Sequence, residues 1–226
     1  MRAEKVMTKS ELQETGSQSS TRRAYLALRE AIITGQIAPG ERLKVDMLKQ
    51  SLQTGASPVR EALSLLTSDH LVERLDQRGF RVAPASRAQF AEILRLRCAL
   101  EAMALRDSVQ QADEKWEEAL VISHHRMVRA EAGEGTDFEA RHKAFHMALL
   151  AACASPVLLR FCSQLYDLNV RYRFLAGRSQ GYARRDVKAE HQAILDRAIA
   201  RDAEAASSSL VEHYQKTGAF LADLID

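Results

Sequence analysis

The sequence predicts a mostly α-helical chain, with a small helix-and-hairpin unit at the front and an antiparallel bundle of six helices behind it. Three observations lead there. Gly and Pro number only 10 and 4 in 226 residues while Ala and Leu are plentiful, a composition that favours helices. Aromatic residues make up only 6% of the chain, which argues against a strand-rich sandwich. After Pro84 the hydrophobic pattern changes and a long helical periodicity begins.

Composition also excludes several classes. A hydrophobic content of 46% with 27% charged residues is that of ordinary globular material, long enough for two cores. The longest apolar stretches, such as "FHMALLAACA", fall far below the ~20 residues that span a bilayer. The start, "MRAEKVMTKSELQETGSQSS", is polar and unlike a signal peptide, so a cytoplasmic protein with no membrane partner is expected. Cys98, Cys153 and Cys162 are odd in number and form no CxxC pair, which speaks against a disulfide frame or a thiolate zinc site. Residues 1–86 carry 13 Lys/Arg against 10 Asp/Glu, and the remainder 19 against 20. That slight basic excess is compatible with nucleic acid at the front.

Residues 1–20 lack apolar periodicity and read as a disordered tail. From Arg22 a first helix carries Tyr25, Leu26, Leu28, Ile32 and Ile33 near one face, Gly35 closes it, and "IAPGERL" supplies a turn. A short helix from Val45 to Leu52 has Met47 and Leu48 as its apolar contacts, and "QTGA" breaks it. Ser57 and Pro58 have the chemistry of an N-cap and first helical position, opening a third helix that buries Val59, Leu63 and Leu66. Then "LVERLDQRGFRVAP" places two apolar-bearing stretches around a Gly-containing turn, the pattern of a β-hairpin. Three helices and a hairpin over residues 21–84 make a winged helix-turn-helix domain.

The segments "YLALREAIITGQIAPGERL", "SPVREAL" and "RGFRVAP" occur in the order found in the DNA-binding domain of the GntR family of bacterial transcription regulators, which residues 22–84 resemble. The resemblance implies that the third helix enters the major groove and the wing tip reaches the minor groove. Arg60, Arg78 and Gly79 inherit DNA contact by motif position, with Ser57 as a phosphate or base neighbour. The chain departs from the family at Gly55 and Ala56, where members commonly carry a Ser-Arg or Thr-Arg pair. A lost guanidinium removes up to ~1–3 kcal/mol of base discrimination. The solvated alternative for Arg60 is a surface cation near Glu61 and Glu73. Arg81 reads equally as a solvated strand residue or a phosphate contact.

Behind the boundary near residues 84–87, "ASRAQFAEILRLRCALEAMALR" opens the bundle, and helical stretches follow at about 113–132, 136–153, 155–176, 182–201 and 202–223. Ile93, Leu94, Leu100, Leu105, Leu158, Leu159 and Leu165 turn inward. His142 and His146 stand i and i+4 on one helix side with Phe138, Phe145 and Leu149, so both imidazoles can aim at one point. His191 shares a face with Val187, Ile194 and Leu195, and His213 follows Leu210 and precedes Phe220. Four inward histidines on three helices can converge on an ion, because neutral imidazole is the commonest transition-metal ligand. A lone core histidine more often satisfies a carboxylate or carbonyl. His124 and His125 are adjacent and point apart, as surface or ordinary core.

The six-helix pattern over residues 88–226 resembles the FCD ligand-binding domain of the FadR-like branch of the same family. That resemblance implies a divalent metal held by an Asp-x3-His pair and two later histidines, matched here by His146, His191 and His213, with His142 in the Asp position. An imidazole there softens the site towards zinc, nickel or copper, with zinc or nickel expected. It also implies a small organic acid effector. Arg97 lies on the apolar stripe of the first bundle helix and matches the family's "LR" arginine, where it could capture a carboxylate or pair with Glu101 four residues on. Arg171, with Tyr172 and Arg173, is a further candidate for that cavity, and Cys98 a possible lining residue. The expected protein is a cytoplasmic homodimer on pseudo-palindromic double-stranded DNA, a repressor relieved by effector, with no catalytic residues. Two alternatives are a regulator sensing the ion itself and, from another class, a metal-dependent hydrolase.

Overall fold

The computed structural model describes residues 9–76, 78–131, 136–176 and 186–222, with side chains from Ser20 onward except at 131, 136 and 137. The chain divides into two compact units, Met1–Ala85 and Ser86–Asp226.

In the first unit, α1 (Lys9–Ile33), β1 (Arg42–Leu43), α2 (Val45–Ser51), α3 (Ala56–Ser68), β2 (Val72–Leu75) and β3 (Gly79–Val82) follow in order. Helix α1 packs on α3 through Ala24, Leu28 and Ile32, which repeat every four residues and are all at most 2% exposed. Leu26, expected on that face, is 46% exposed, because it lies two residues, and so about 200° of helical turn, from Leu28. Met47 is likewise exposed; Val45, Leu48 and Leu52 are the half-buried side of α2. The backbone of residues 9–20, expected as a tail, continues α1, since extending an anchored helix adds one hydrogen bond for each residue fixed. Residues 1–8 lie outside the described residues.

Helix α3 starts earlier than its Ser-Pro pair suggests. Gly55 is its N-cap, with no side-chain cap bond, and Ser57 Oγ donates instead to Glu61 Oε1 at 3.2 Å. Pro58 fits inside the first turn because the N–H it lacks has no intrahelical acceptor there. The expected hairpin is present, with Val72 paired to Val82 and Leu75 to Gly79. Gly79 takes φ +88° at its tip, a conformation cheap only for glycine. A third strand, β1, pairs with β3 through Arg42–Arg81 and Leu43–Phe80, giving the order β1-β3-β2. Two residues are too short to show a period, so β1 left no trace in the hydrophobic pattern.

The second unit is a six-helix bundle: α4 (Arg87–Gln111), α5 (Glu114–Glu131), α6 (Thr136–Leu150), α7 (Pro156–Leu175), α8 (Val187–Ile199) and α9 (Ala203–Ala222). Side-chain caps set several starts: Ser86 accepts from Gln89 N, Ser155 from Leu158 N and Asp186 from Ala189 N. The core gathers Leu105, Leu120, Phe145, Leu149, Leu150, Cys162, Ile194, Ala198 and Leu210, none of them exposed. Helices α4 and α9 approach closely at Gly218, where an added Cβ would lie 2.2 Å from Leu94 Cδ2. No described helix is long and apolar enough to cross a membrane.

Gly218→Val should therefore wedge α4 from α9 and cost about 1–3 kcal/mol of stability, read as a lower Tm in a thermal melt; an unchanged Tm would show that the helices are not held at this spacing.

Candidate metal centre

Helices α6, α8 and α9 bring four histidines to one point. His142 and His146 project from the same side of α6, one turn apart, while α8 supplies His191 and α9 supplies His213. All four are buried, and one ligand nitrogen from each lies within 4.8 Å of the other three. The Nε2 atoms of His142 and His146 are 3.3 Å apart, about the ligand–ligand edge of a tetrahedron built on Zn–N bonds of ~2.0–2.1 Å. The ring of His191 sits 4.9 Å from that of His142 and 4.6 Å from that of His213.

The outer partners fix how two of the rings present themselves. His213 Nδ1 is 2.7 Å from Glu190 Oε2; a carboxylate only accepts, so Nδ1 carries a proton and donates. Tyr214 O–H donates to Glu101 Oε2, so its oxygen accepts from His146 Nδ1 at 2.9 Å. His142 Nδ1 contacts the Tyr166 hydroxyl and stands 3.5 Å from Arg173 Nη1, a group that can only donate, so its partners do not fix the tautomer of this ring. The Nε2 atoms of His142 and His146 face each other at a spacing at which one cation can take both. His191 Nε2 is buried with no hydrogen-bond partner among the described residues, an orphan that calls for a ligand. These donors fit a divalent transition ion.

Burial holds three of the four rings neutral. Desolvation first, then the neighbouring imidazoles and the Arg97 and Arg173 cations, push His142 and His146 well below the usual histidine range. The same burial, with His213 and Arg173, takes His191 down to about 2. A neutral imidazole is the ligating form.

A small cavity beside the cluster is lined by Arg97, His142, Asn169, Arg173, His213 and Tyr214, among others. Both accounts of Arg97 meet there. Its Nε donates to Glu101 Oε1 at 2.6 Å and its Nη1 to Asn169 Oδ1 at 3.0 Å, while its guanidinium lies over the rings of Tyr214 and Tyr166. Nη2 is buried without a hydrogen-bond partner among the described residues, so the intrahelical pair exists and one donor remains. Arg171 is 2% exposed but does not line this cavity. The cation that does is Arg173, held by Glu139 at 2.7 Å, because two positions along α7 rotate a side chain to nearly the opposite face. Cys98 is half-buried and also absent from the lining. His124 packs edge-on to Phe145 in the core, and His125 is exposed.

Sequence reasoning missed Tyr166, Asn169, Glu190 and Tyr214. Glu190 and Tyr214 each sit next to a cluster histidine in sequence, and face-counting along a single helix does not reveal a partner reached across to another helix. In the first unit, Ser57, Arg60, Arg78 and Gly79 are all exposed. Neither carboxylate expected near Arg60 holds it: Glu61 accepts from Thr21 and Ser57, and Glu73 pairs with Arg81 at 2.7 Å.

The depressed imidazoles make stability pH-dependent. Unfolded histidine titrates near ~6.5, whereas His142, His146 and His191 stay neutral in the fold, so the unfolded chain binds more protons below that pH. The contribution is intact above ~6.5 and is lost as the pH falls. Chelator-treated protein should melt at progressively lower temperature from pH 7 to pH 5, and a Tm flat over that interval would contradict the burial of these rings.

Residues 20–82 match the bacterial regulatory proteins of the gntR family, and residues 92–216 match the FCD domain. The chain is 38% identical over 200 residues to the HTH-type transcriptional regulator BphR of Paraburkholderia xenovorans (strain LB400), covering 85% of this chain and 81% of that one. It is 32% identical over 197 residues to the HTH-type transcriptional repressor GlaR of Escherichia coli (strain K12), covering 84% and 90%. The solved structure of E. coli McbR/YncC superposes with a TM-score of 0.77 at 24% identity, over 89% of this chain and 96% of that one, which shows the shared fold. With a winged DNA-binding unit in front and an FCD bundle behind, this chain belongs to the GntR family of DNA-binding transcription regulators and is not an enzyme.

Proposed function

We propose that this regulator is a cytoplasmic homodimeric repressor whose grip on its operator is set by a small organic acid bound beside a metal ion in the FCD domain. The observation that carries this reading is the four-imidazole cluster next to the spare Nη2 of Arg97. His142, His146, His191 and His213 would hold a divalent transition metal, zinc or nickel by the nitrogen-only donor set. Such an ion supplies a Lewis-acidic positive centre for a carboxylate. Arg97 and Arg173 place two guanidinium groups on the same cavity, the geometry that captures a carboxylate by charge-assisted hydrogen bonds. The surrounding tyrosine rings exclude water and strengthen that attraction.

Repression agrees with the name of the GlaR relative. Ser57 and Arg60 on the first turns of α3, with Arg78 and Gly79 at the wing tip, are the surface offered to double-stranded DNA. Two copies would set two such helices on a pseudo-palindrome. Gly55 and Ala56 leave the start of α3 without the guanidinium common in the family, so the operator is expected to differ at the base that guanidinium would read. Effector control requires that the acid bind the DNA-competent and DNA-incompetent arrangements with different affinity.

Elemental analysis of the purified protein, joined to a thermal-shift screen of small carboxylates with and without chelator, tests the sensing half. The expected result is one metal per chain and a carboxylate-dependent rise in Tm that chelator abolishes. Metal-free protein that cannot be loaded with zinc or nickel would overturn it; DNA affinity that tracks metal alone would make the ion itself the signal. On the DNA side, Arg60→Ala should weaken operator binding by about 1–3 kcal/mol, roughly 5- to 150-fold, with metal content unchanged. Unaltered affinity in a gel-shift titration would remove Arg60 from the interface.

A further inference from the structure

The buried hydrogen bonds behind His146 form a chain with a direction. Arg97 Nε donates to Glu101 Oε1 at 2.6 Å. The other oxygen of the same carboxylate, Oε2, accepts from the Tyr214 hydroxyl. The phenol oxygen stands 2.9 Å from His146 Nδ1. Arg97, Glu101, His146 and Tyr214 are all at most 4% exposed, so no solvent competes for these groups. Glu101 as a carboxylate has no proton to give, and a hydroxyl has only one. With that proton committed to Glu101, the phenol oxygen can only accept from His146, which places the imidazole proton on Nδ1.

We propose that Tyr214 and Glu101 are a positioning relay that locks His146 in its Nδ1–H tautomer and Arg97 with its Nη2 towards the cavity, so that one carboxylate orients both a metal ligand and an anion clamp. The assignment rests on reading the histidines as a metal site and goes beyond it by naming what holds one of them ready. The Tyr214 hydroxyl has a single proton, and the Glu101 carboxylate, which only accepts, takes it. The second anchor of Arg97, Asn169 Oδ1 at 3.0 Å, prevents the guanidinium from swinging away, so Glu101 stays in register with both partners. Groups arranged this way around a ligating imidazole set its tautomer and its basicity.

Two substitutions separate this role from simple packing. Tyr214→Phe removes the hydroxyl and keeps the ring. Glu101→Gln keeps the shape but reverses the chain: its single amide oxygen remains with Arg97, its amide nitrogen donates to the phenol oxygen, and the phenol proton turns to His146 Nδ1, forcing the imidazole proton onto Nε2. The experiment is long-range 1H–15N correlation of histidine-labelled, chelator-treated full-length protein, with His146 assigned by its loss in His146→Asn. Zinc affinity is measured alongside by competition with a chromophoric chelator.

Wild-type His146 should be in the Nδ1–H form, Tyr214→Phe should populate both forms, and Glu101→Gln should invert it. Zinc affinity should fall about 10- to 100-fold in each variant. A wild-type His146 protonated on Nε2 overturns the relay even if neither variant folds. Folded variants with unchanged tautomer and zinc affinity overturn it as well. A wild-type protein with the expected tautomer that fails to take up zinc would leave the relay standing and refute the metal reading instead.

Discussion

Burying four imidazoles against one another is the constraint around which the second unit is arranged. Each ring brings a polar nitrogen into a core otherwise made of Leu, Ile, Ala and Phe, and an unsatisfied polar atom there costs about 1–3 kcal/mol. The bundle meets that cost with an outer set of hydrogen-bond partners, Glu190, Tyr166 and Tyr214, spread over three helices. The Nε2 atoms of His142 and His146 face one another at 3.3 Å, and His191 Nε2 has no hydrogen-bond partner among the described residues. The core is thus satisfied on its outside and keeps an unpartnered nitrogen at its centre, which points to a site.

The same geometry explains why Arg97 is tolerated at 4% exposure. A buried guanidinium needs a counter-charge and hydrogen bonds, and Glu101, Asn169 and two aromatic faces provide them. Desolvation alone would disfavour the cation, but Glu101 and the two tyrosines outweigh it and hold its pKa above the usual arginine range. Helix α7 serves the cluster twice, through Tyr166 behind His142 and through Asn169 behind Arg97, three residues apart on one face. Helix α9 does so through the adjacent pair His213 and Tyr214, one entering the cluster and the other standing behind His146. A shift of either helix would move a ligand and a clamp together.

Much of this was legible in the sequence, for identifiable reasons. The i, i+4 spacing of His142 and His146 fixes their common face whatever the tertiary fold, and His191 and His213 each sat among apolar residues of the right period. The hairpin and the bundle helices carried strong local patterns and caps. What was not legible depended on contacts between elements. Arg171 and Arg173 differ by two positions, and only the packing of α7 decides which of them meets the cavity. Ser57 looked like a cap because its neighbour is proline, but the first turn accommodates that proline and the helix begins at Ala56. Tyr214 gave no signal because its partners lie on α4 and α6, far away in sequence.

An anomalous difference map from crystals of the purified protein, collected at the zinc and nickel absorption edges, tests the central claim most directly. The account predicts one peak per chain among His142, His146, His191 and His213, within the ~2.0–2.2 Å of a coordination bond from ring nitrogens. A map from zinc- or nickel-supplemented crystals with no peak there, or with the ion bound elsewhere, would contradict it.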